Sequence, residues 1–211
     1  MLERLKHFVV NNTPSKKFVK NVSLDQAHDY WKTTTDQFNS PEAYLNASIE
    51  SANLILSLIE KAGVTKNDKI LDLGCNVGRT MNYLYNRGYR NLSGIDISTR
   101  AIDLMMKSYP DMAMNSTIYN ESFEIFFKDT RALHFDCIFT CGVLMHVHKD
   151  SEWIFEKIVR LTDKLITFED ETGIAKKNFP RNYKTLFESL GMKQTHEIQS
   201  LNLTGRILEN I

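Results

Sequence analysis

Two acids and two glycines carry the strongest chemical signal in the chain. They lie in Ile70-Leu71-Asp72-Leu73-Gly74-Cys75-Asn76-Val77-Gly78-Arg79-Thr80 and in Gly94-Ile95-Asp96-Ile97-Ser98. Gly74 and Gly78 bracket a tight turn between an apolar run and a helical stretch, where missing Cβ atoms let backbone come close to a ligand. A dinucleotide fingerprint asks for Gly-x-Gly-x-x-Gly. Here the spacing is Gly-x-x-x-Gly, with Asn76 in the middle and Asp72 ahead of the first glycine. A carboxylate in that place is awkward for pyrophosphate and suits a cationic amino group, which argues against a nicotinamide dinucleotide. Asp96 ends the next apolar run, about where an acid accepts hydrogen bonds from both ribose hydroxyls. Turn and acids together outline a nucleoside with a positively charged tail, the shape of S-adenosylmethionine. The plainer alternatives are a turn-capping acid at position 72 and a helix N-cap at position 96.

Positioning these groups requires strands that end side by side. The chain has 211 residues, 42% hydrophobic and 25% charged, with 26 basic and 26 acidic residues and no formal net charge. That composition suits one globular domain with a modest appendage and excludes a mainly disordered, collagen-like or coiled-coil chain. Short apolar runs at Lys69–Leu73, Asn91–Ile97, Thr117–Tyr119, Phe135–Cys141 and Lys164–Phe168 alternate with helical stretches. Such alternation predicts an α/β fold: a doubly wound, mostly parallel sheet with helices on both faces and ligands at the carboxyl ends of the strands. Two last runs, Lys193–Gln199 and Leu203–Leu208, are joined too closely for a crossover, so an antiparallel hairpin closes the sheet. Ser40-Pro41-Glu42 reads as an N-cap, a first-turn proline and a first-turn acid. Leu45, Ile49, Ala52, Leu56 and Ile59 follow at helical steps, which predicts one helix from Pro41 to about Lys61. Residues 1–40 read as an N-terminal helical arm or cap, and 41–211 as the main domain. Tyr30 and Trp31 are expected to anchor that arm rather than to form a lid.

Cys75, Cys137 and Cys141 form neither a disulfide framework nor a zinc spacing, and Cys137 with Cys141 reads as a reduced core pair. No apolar run is long enough for a signal-peptide core or a membrane span, so a soluble, cytoplasmic protein is expected. The charge balance weighs against nucleic acid as the main partner.

Asp72-Leu73-Gly74-Cys75-Asn76-Val77-Gly78 resembles the first motif of the class I S-adenosylmethionine-dependent methyltransferases, and Gly94-Ile95-Asp96-Ile97-Ser98 the second. Phe135-Asp136-Cys137-Ile138-Phe139, with Val143-Leu144-Met145-His146-Val147 beyond it, resembles the fourth-strand motif. The likeness runs roughly from Lys69 to Leu208. Asn76 departs from the glycine common in the family. The resemblance implies a seven-stranded sheet in the order 3-2-1-4-5-7-6 with the last strand antiparallel, and S-adenosylmethionine as cofactor. Asp72 would then hold the methionine ammonium, while Gly74, Cys75, Asn76 and Gly78 give close backbone contacts. Asp96 and Ile97 would take the ribose side, with Glu121 and Ser122 where the family reads adenine and Cys141 a further cofactor-binding candidate. The segments Trp153-Ile154-Phe155, Phe168-Glu169-Asp170-Glu171 and Phe179-Pro180-Arg181-Asn182-Tyr183-Lys184 also look like a narrower bacterial group associated with surface-polysaccharide and nonulosonic-acid biosynthesis.

Methyl transfer from a sulfonium leaves a neutral leaving group, so alignment and exclusion of water matter most, and a hydroxyl acceptor gains from a positioned base. His146 is the candidate base, with Glu169 and Asp170 as acids that contact the acceptor; His148 is expected to be exposed. Arg181, Tyr183 and Lys184 are candidates to bind a phosphate or carboxylate of the substrate. No metal is expected, because no second carboxylate cluster accompanies the first. The implied activity is methyl transfer to oxygen or nitrogen of a small or glycan-linked substrate. The alternatives are an inactive cofactor-binding scaffold of the same fold, or an RNA methyltransferase.

Overall fold

The computed structural model describes residues 22–129, 133–171, 178–200 and 203–211. The first half of the expected arm, residues 1–21, lies outside the described residues. The arm's described helix is α1 (Leu24–Thr33), opened by a capping box in which Gln26 N donates to Ser23 Oγ and Ser23 N to Gln26 Oε1.

Where one helix is expected from Pro41 to Lys61, there are two: α2 (Pro41–Leu45) and α3 (Glu50–Lys61). Ser40 caps α2 through Ala43 N, as its type predicts. Asn46 then turns its amide onto Glu42 O at 2.8 Å, and Ser48 Oγ accepts from Glu50 N at 3.1 Å. Short polar side chains that bond local backbone offer it an alternative to the helical ladder, and here they break the helix. The buried stripe of α3 is accordingly Ala52, Ile55, Leu58 and Ile59, while Ile49, expected to be inside, is 51% exposed.

The alternating part follows as β1 (Ile70–Leu73), α4 (Arg79–Tyr85), β2 (Leu92–Ile95), α5 (Thr99–Ser108), α6 (Pro110–Met114), β3 (Thr117–Tyr119), α7 (Phe123–Phe126), β4 (Phe135–Cys141), α8 (Trp153–Leu161), β5 (Thr162–Glu169), α9 (Tyr183–Ser189), β6 (Met192–Ser200) and β7 (Leu203–Asn210). Pro110 ends α5, as expected, and occupies the first turn of α6. The seven strands lie in the order β3-β2-β1-β4-β5-β7-β6. The pairings among β1 to β5 are parallel, and β7 runs antiparallel to both β5 and β6.

Two apolar layers sandwich this sheet. Ile70, Phe139, Ile166 and Ile207 point to one face and pack with Ile55, Ile59, Met81 and Met105. Their chain neighbours Leu71, Ile138, Leu165 and Leu208 point to the other and pack with Phe127, Ile154, Phe155 and Phe187. The period of two sends alternate side chains to opposite layers. Strands buried on both faces therefore read as continuous apolar runs. Both layers leave the carboxyl ends of β1 to β5 open to the loops that follow them.

Candidate functional site

The turn after β1 is pinned to the end of β2: the backbone N–H groups of Gly74 and Cys75 both donate to Ile95 O, at 2.9 and 3.0 Å. Three residues in it adopt positive φ, Gly74 at 76°, Asn76 at 49° and Gly78 at 69°. Asn is the side chain that best tolerates this left-handed region, and Asn76 Oδ1 further accepts from Val77 N at 2.8 Å. Asn76 thus does the conformational work of the glycine it replaces. A Cβ on Gly74 would come within 2.5 Å of Val143 Cγ2, so the absence of a side chain there is a packing requirement. Gly78 meets the same constraint from Met112 and Met105.

Asp96 faces this turn from the end of β2. Its Oδ2 accepts from Asn76 N at 2.9 Å and its Oδ1 from Ser98 N at 2.8 Å, which fixes the carboxylate plane. Burial raises its carboxyl to about 6, against the opposing pull of those two N–H donors. Asp72 is 5% exposed, and among the described residues its carboxylate has no hydrogen-bond or ion-pair partner. Burial, reinforced by the charge on Asp96 and opposed by Arg79, lifts it well above the usual carboxylate range. A buried, unpaired acid is costly unless a cation meets it. The pair fits a ligand with an ammonium at one end and a diol at the other.

Both acids line a cavity of about 1200 Å³ at the carboxyl ends of the strands. Single-ligand sites commonly run to about 1,000 Å³, so there is room for a nucleoside and an acceptor together. Of the residues singled out in the sequence, Asp72, Gly74, Cys75, Asn76, Asp96 and Ile97 meet there, and so do Glu121, Ser122, Cys141, His146 and Asp170. Ile97, Glu121 and Ser122 also line an adjoining pocket of about 360 Å³ with His28 and Asn120. Burial pushes the Cys141 thiol up to about 12, so it meets the cavity as a neutral group. Cys141 is half-buried: it lines the cavity and also packs against the core that holds the fully buried Cys137, both as free thiols.

Several expectations are corrected. Glu169 lies behind the cavity wall and is fully buried. Its Oε1 accepts from Thr140 Oγ1 at 2.5 Å, and its Oε2 from Val143 N at 2.9 Å and Met145 N at 3.3 Å. A carboxylate held in this way positions the turn that carries His146 and stays outside the cavity lining. Arg181 is likewise committed. It donates to Val147 O at 2.9 Å, Phe179 O at 3.0 Å and Glu152 Oε1 at 3.2 Å, so it ties two loops together outside the cavity lining. Tyr183 is fully buried against Phe155 and Phe187, and Lys184 is exposed on α9 outside the cavity. His148, expected at the surface, is mostly buried: its Nε2 lies 2.8 Å from Val22 O and its Nδ1 accepts from Asp150 N.

The arm is also more than an anchor. Leu24, Ala27, His28 and Trp31 of α1 form one wall of the cavity. His28 Nε2 pairs with Glu124 Oε2 at 3.0 Å, while Ser151 Oγ donates to Glu124 Oε1 at 2.5 Å. Burial alone would raise Glu124; these partners instead hold it down at about 2. Sequence reasoning missed this wall, although the three- and four-residue spacing of its members behind a Ser-x-x-Gln cap was a legible signal. It missed Glu50 and Asn178 too, which lie in segments without a motif. His134, Asp136 and Asp163 bring ligand atoms within 4.8 Å of one another at the amino ends of β4 and β5, away from the cavity. They are surface groups, Asp136 accepting from Lys69 N at 2.6 Å.

The seven-stranded sheet and the cavity at its carboxyl edge make this a Rossmann-like α/β fold, and known proteins of that fold include methyltransferases. Residues 70–164 match the family model described as a methyltransferase domain. Among solved structures, the chain is similar to magnesium protoporphyrin IX methyltransferase from Synechocystis with bound S-adenosylmethionine: TM-score 0.68, 17% identity, covering 90% of this chain and 98% of that one. A Pyrococcus horikoshii protein provisionally described as an RNA methyltransferase gives TM-score 0.64 at 13% identity, covering 92% of each chain. A TehB-like S-adenosylmethionine-dependent methyltransferase from Corynebacterium glutamicum gives 0.57 at 17% identity, covering 81% of this chain and 98% of that one. No curated protein matches the sequence. Among the described residues no helix is long and apolar enough to cross a membrane.

Proposed function

We propose that this protein is an S-adenosylmethionine-dependent methyltransferase that methylates oxygen or nitrogen of a small or glycan-linked acceptor. The observation that carries the reading is the pair of acids around the glycine turn. Asp72 is buried without a partner among the described residues, and Asp96 is held rigid by two backbone donors. When bound, the cofactor supplies an electrophilic methyl group on a sulfonium.

The chain's own groups do the rest. Asp72 pairs with the ammonium of the methionine tail, and Asp96 accepts from the ribose hydroxyls. Ile97, Glu121 and Ser122 border the base. The Val143–His146 turn, held from behind by Glu169, seats His146 where it can hold or take a proton from an acceptor hydroxyl. α1 closes the wall and keeps water out.

Calorimetry with S-adenosylmethionine and S-adenosylhomocysteine tests this directly: micromolar binding is expected, weakened at least tenfold in Asp96→Ala. Folded protein that gives no heat and no thermal shift with either compound sinks the reading. Cofactor binding without turnover on any acceptor, unchanged by His146→Ala, would instead favour a scaffold of the same fold.

A further inference from the structure

Two oxygens in the cavity wall lack a donor. Glu50 Oε2 and Asn178 Oδ1 are buried without a hydrogen-bond partner among the described residues, and both residues line the cavity. They come from separate elements: Glu50 opens α3, and Asn178 lies between β5 and α9. Neither has a part in the cofactor site proposed above. Arg79 also lines the cavity, but its guanidinium donates to Ser48 O and Ser51 Oγ, on either side of Glu50, and not to Glu50 itself.

The Asn178 amide is oriented by its own contacts. Its Nδ2 donates to Asp170 Oδ2 at 3.0 Å and lies 3.4 Å from Met145 Sδ. Carboxylate oxygen and thioether sulfur both accept, so the amide nitrogen belongs on their side and the carbonyl oxygen is left for a ligand. The rest of this wall is apolar: Trp31, Phe38, Leu54, Met145, Phe168 and Leu203. Water serves such oxygens while the cavity is open. A ligand that displaces it without bringing donors of its own leaves both oxygens unsatisfied. Hydroxyls suit the place better than ammonium groups. Asn178 presents a neutral amide oxygen, and a neutral donor reaches it without burying a charge among apolar side chains. His146, the proposed base, is likewise of use to a hydroxyl acceptor, whereas an amine needs only to be neutral.

We infer that the methyl acceptor is an uncharged compound with an apolar body and more than one hydroxyl, whose O–H groups donate to Asn178 Oδ1 and Glu50 Oε2. This deepens the methyltransferase reading above and rests on it. Asn178 and Glu50 select and orient the acceptor and take no part in the transfer itself.

The test is calorimetry on protein saturated with S-adenosylhomocysteine, with four probes built on one ring and side chain: 4-(2-hydroxyethyl)phenol, its doubly O-methylated twin, phenethyl alcohol and tyramine. The diol is expected to bind at least tenfold more tightly than the twin, which keeps the framework and loses both donors. It should also bind about threefold more tightly than phenethyl alcohol, which has one hydroxyl, and than tyramine, which is charged. Asn178→Ala and Glu50→Ala should each weaken the diol about fivefold and leave S-adenosylhomocysteine affinity within twofold, a split that misfolding would not give. Because S-adenosylhomocysteine binding is read first, the two claims separate. If it fails to bind, the cofactor reading falls and takes this proposal with it. If it binds while the diol gives no heat, or any other probe matches the diol, or either substitution leaves the diol's affinity intact, the hydroxylated acceptor alone is overturned.

Discussion

The indole of Trp31 and the imidazole of His146 lie 4.4 Å apart, centroid to centroid, at 46°. One residue comes from the arm and the other from the turn after β4, so this contact joins the two halves of the cavity wall. An aromatic pair of this kind contributes about 0.5–1.5 kcal/mol beyond its area. Its larger effect is to fix the imidazole at the cavity wall, beside the proposed acceptor space. Trp31→Ala is expected to raise the acceptor KM about tenfold and to lower kcat, with S-adenosylhomocysteine affinity changed less than threefold. An equal loss of cofactor affinity would show that the wall serves the nucleoside instead.

The strands were legible because strands buried on both faces are continuous apolar runs, and Ile70–Leu73 and Phe135–Cys141 have no other reading as clear; their order came from the family resemblance. The turn at Gly74 to Gly78 was legible because only glycine or asparagine sits comfortably at positive φ. Glu169 and Arg181 misled for a common reason. Their types and positions at loop ends suit chemistry, but which donors and acceptors meet them is decided by loops far apart in the chain: the 140–145 turn for Glu169, and the carbonyls of Val147 and Phe179 for Arg181. The break between α2 and α3 was open to inference from Asn46 and Ser48, whose side chains compete with the helix, yet the apolar spacing across them concealed it.

Asp72 sets stability against binding. In the free protein its carboxyl, raised well above the usual range by burial, has no partner among the described residues. Asp72→Asn removes that cost, so the unliganded variant is expected to melt higher than the parent. Its affinity for S-adenosylhomocysteine should fall about tenfold or more, since a charge-assisted contact to the ammonium is lost. Adenosine, which lacks the amino-acid tail, should bind parent and variant alike. A matching loss for adenosine would move Asp72 out of the ammonium role.

Glu169 makes the turn beneath His146 sensitive to pH. Burial raises its carboxyl to about 7 from an ordinary 4.5, despite donors from Thr140, Val143 and Met145. The folded state thus holds this proton more tightly than the unfolded chain. The resulting stability is complete below about 4.5 and is lost as pH rises through about 7. The full effect is on the order of 3 kcal/mol. Glu169→Gln resembles the protonated acid, with Thr140 Oγ1 free to rotate and accept from the amide. Between pH 5 and pH 8 the parent is expected to lose several degrees of Tm relative to this variant. Melting curves that shift in parallel over that range would remove Glu169 as the source.

Gly74 and Gly191 separate steric crowding from backbone strain at the turn. Both have positive φ, 76° and 101°, so alanine pays a conformational cost at either position. They differ in their surroundings. A Cβ at Gly74 would lie 2.5 Å from Val143 Cγ2 and 2.7 Å from its Cγ1, whereas nothing lies within 4 Å of one at Gly191. Val143 cannot withdraw easily, because its N–H is held by both carboxylate oxygens of Glu169, at 3.1 and 2.9 Å. Gly191→Ala should therefore cost about 1–2 kcal/mol, the strain alone. Gly74→Ala adds overpacking of about 1–3 kcal/mol and displaces the turn from the nucleoside. Differential scanning calorimetry should give a clearly larger drop in Tm for Gly74→Ala, and S-adenosylhomocysteine binding should weaken more than tenfold in that variant only. Equal melting temperatures with unchanged binding would mean that the Val143 turn yields, and that the crowding at Gly74 does not shape the site.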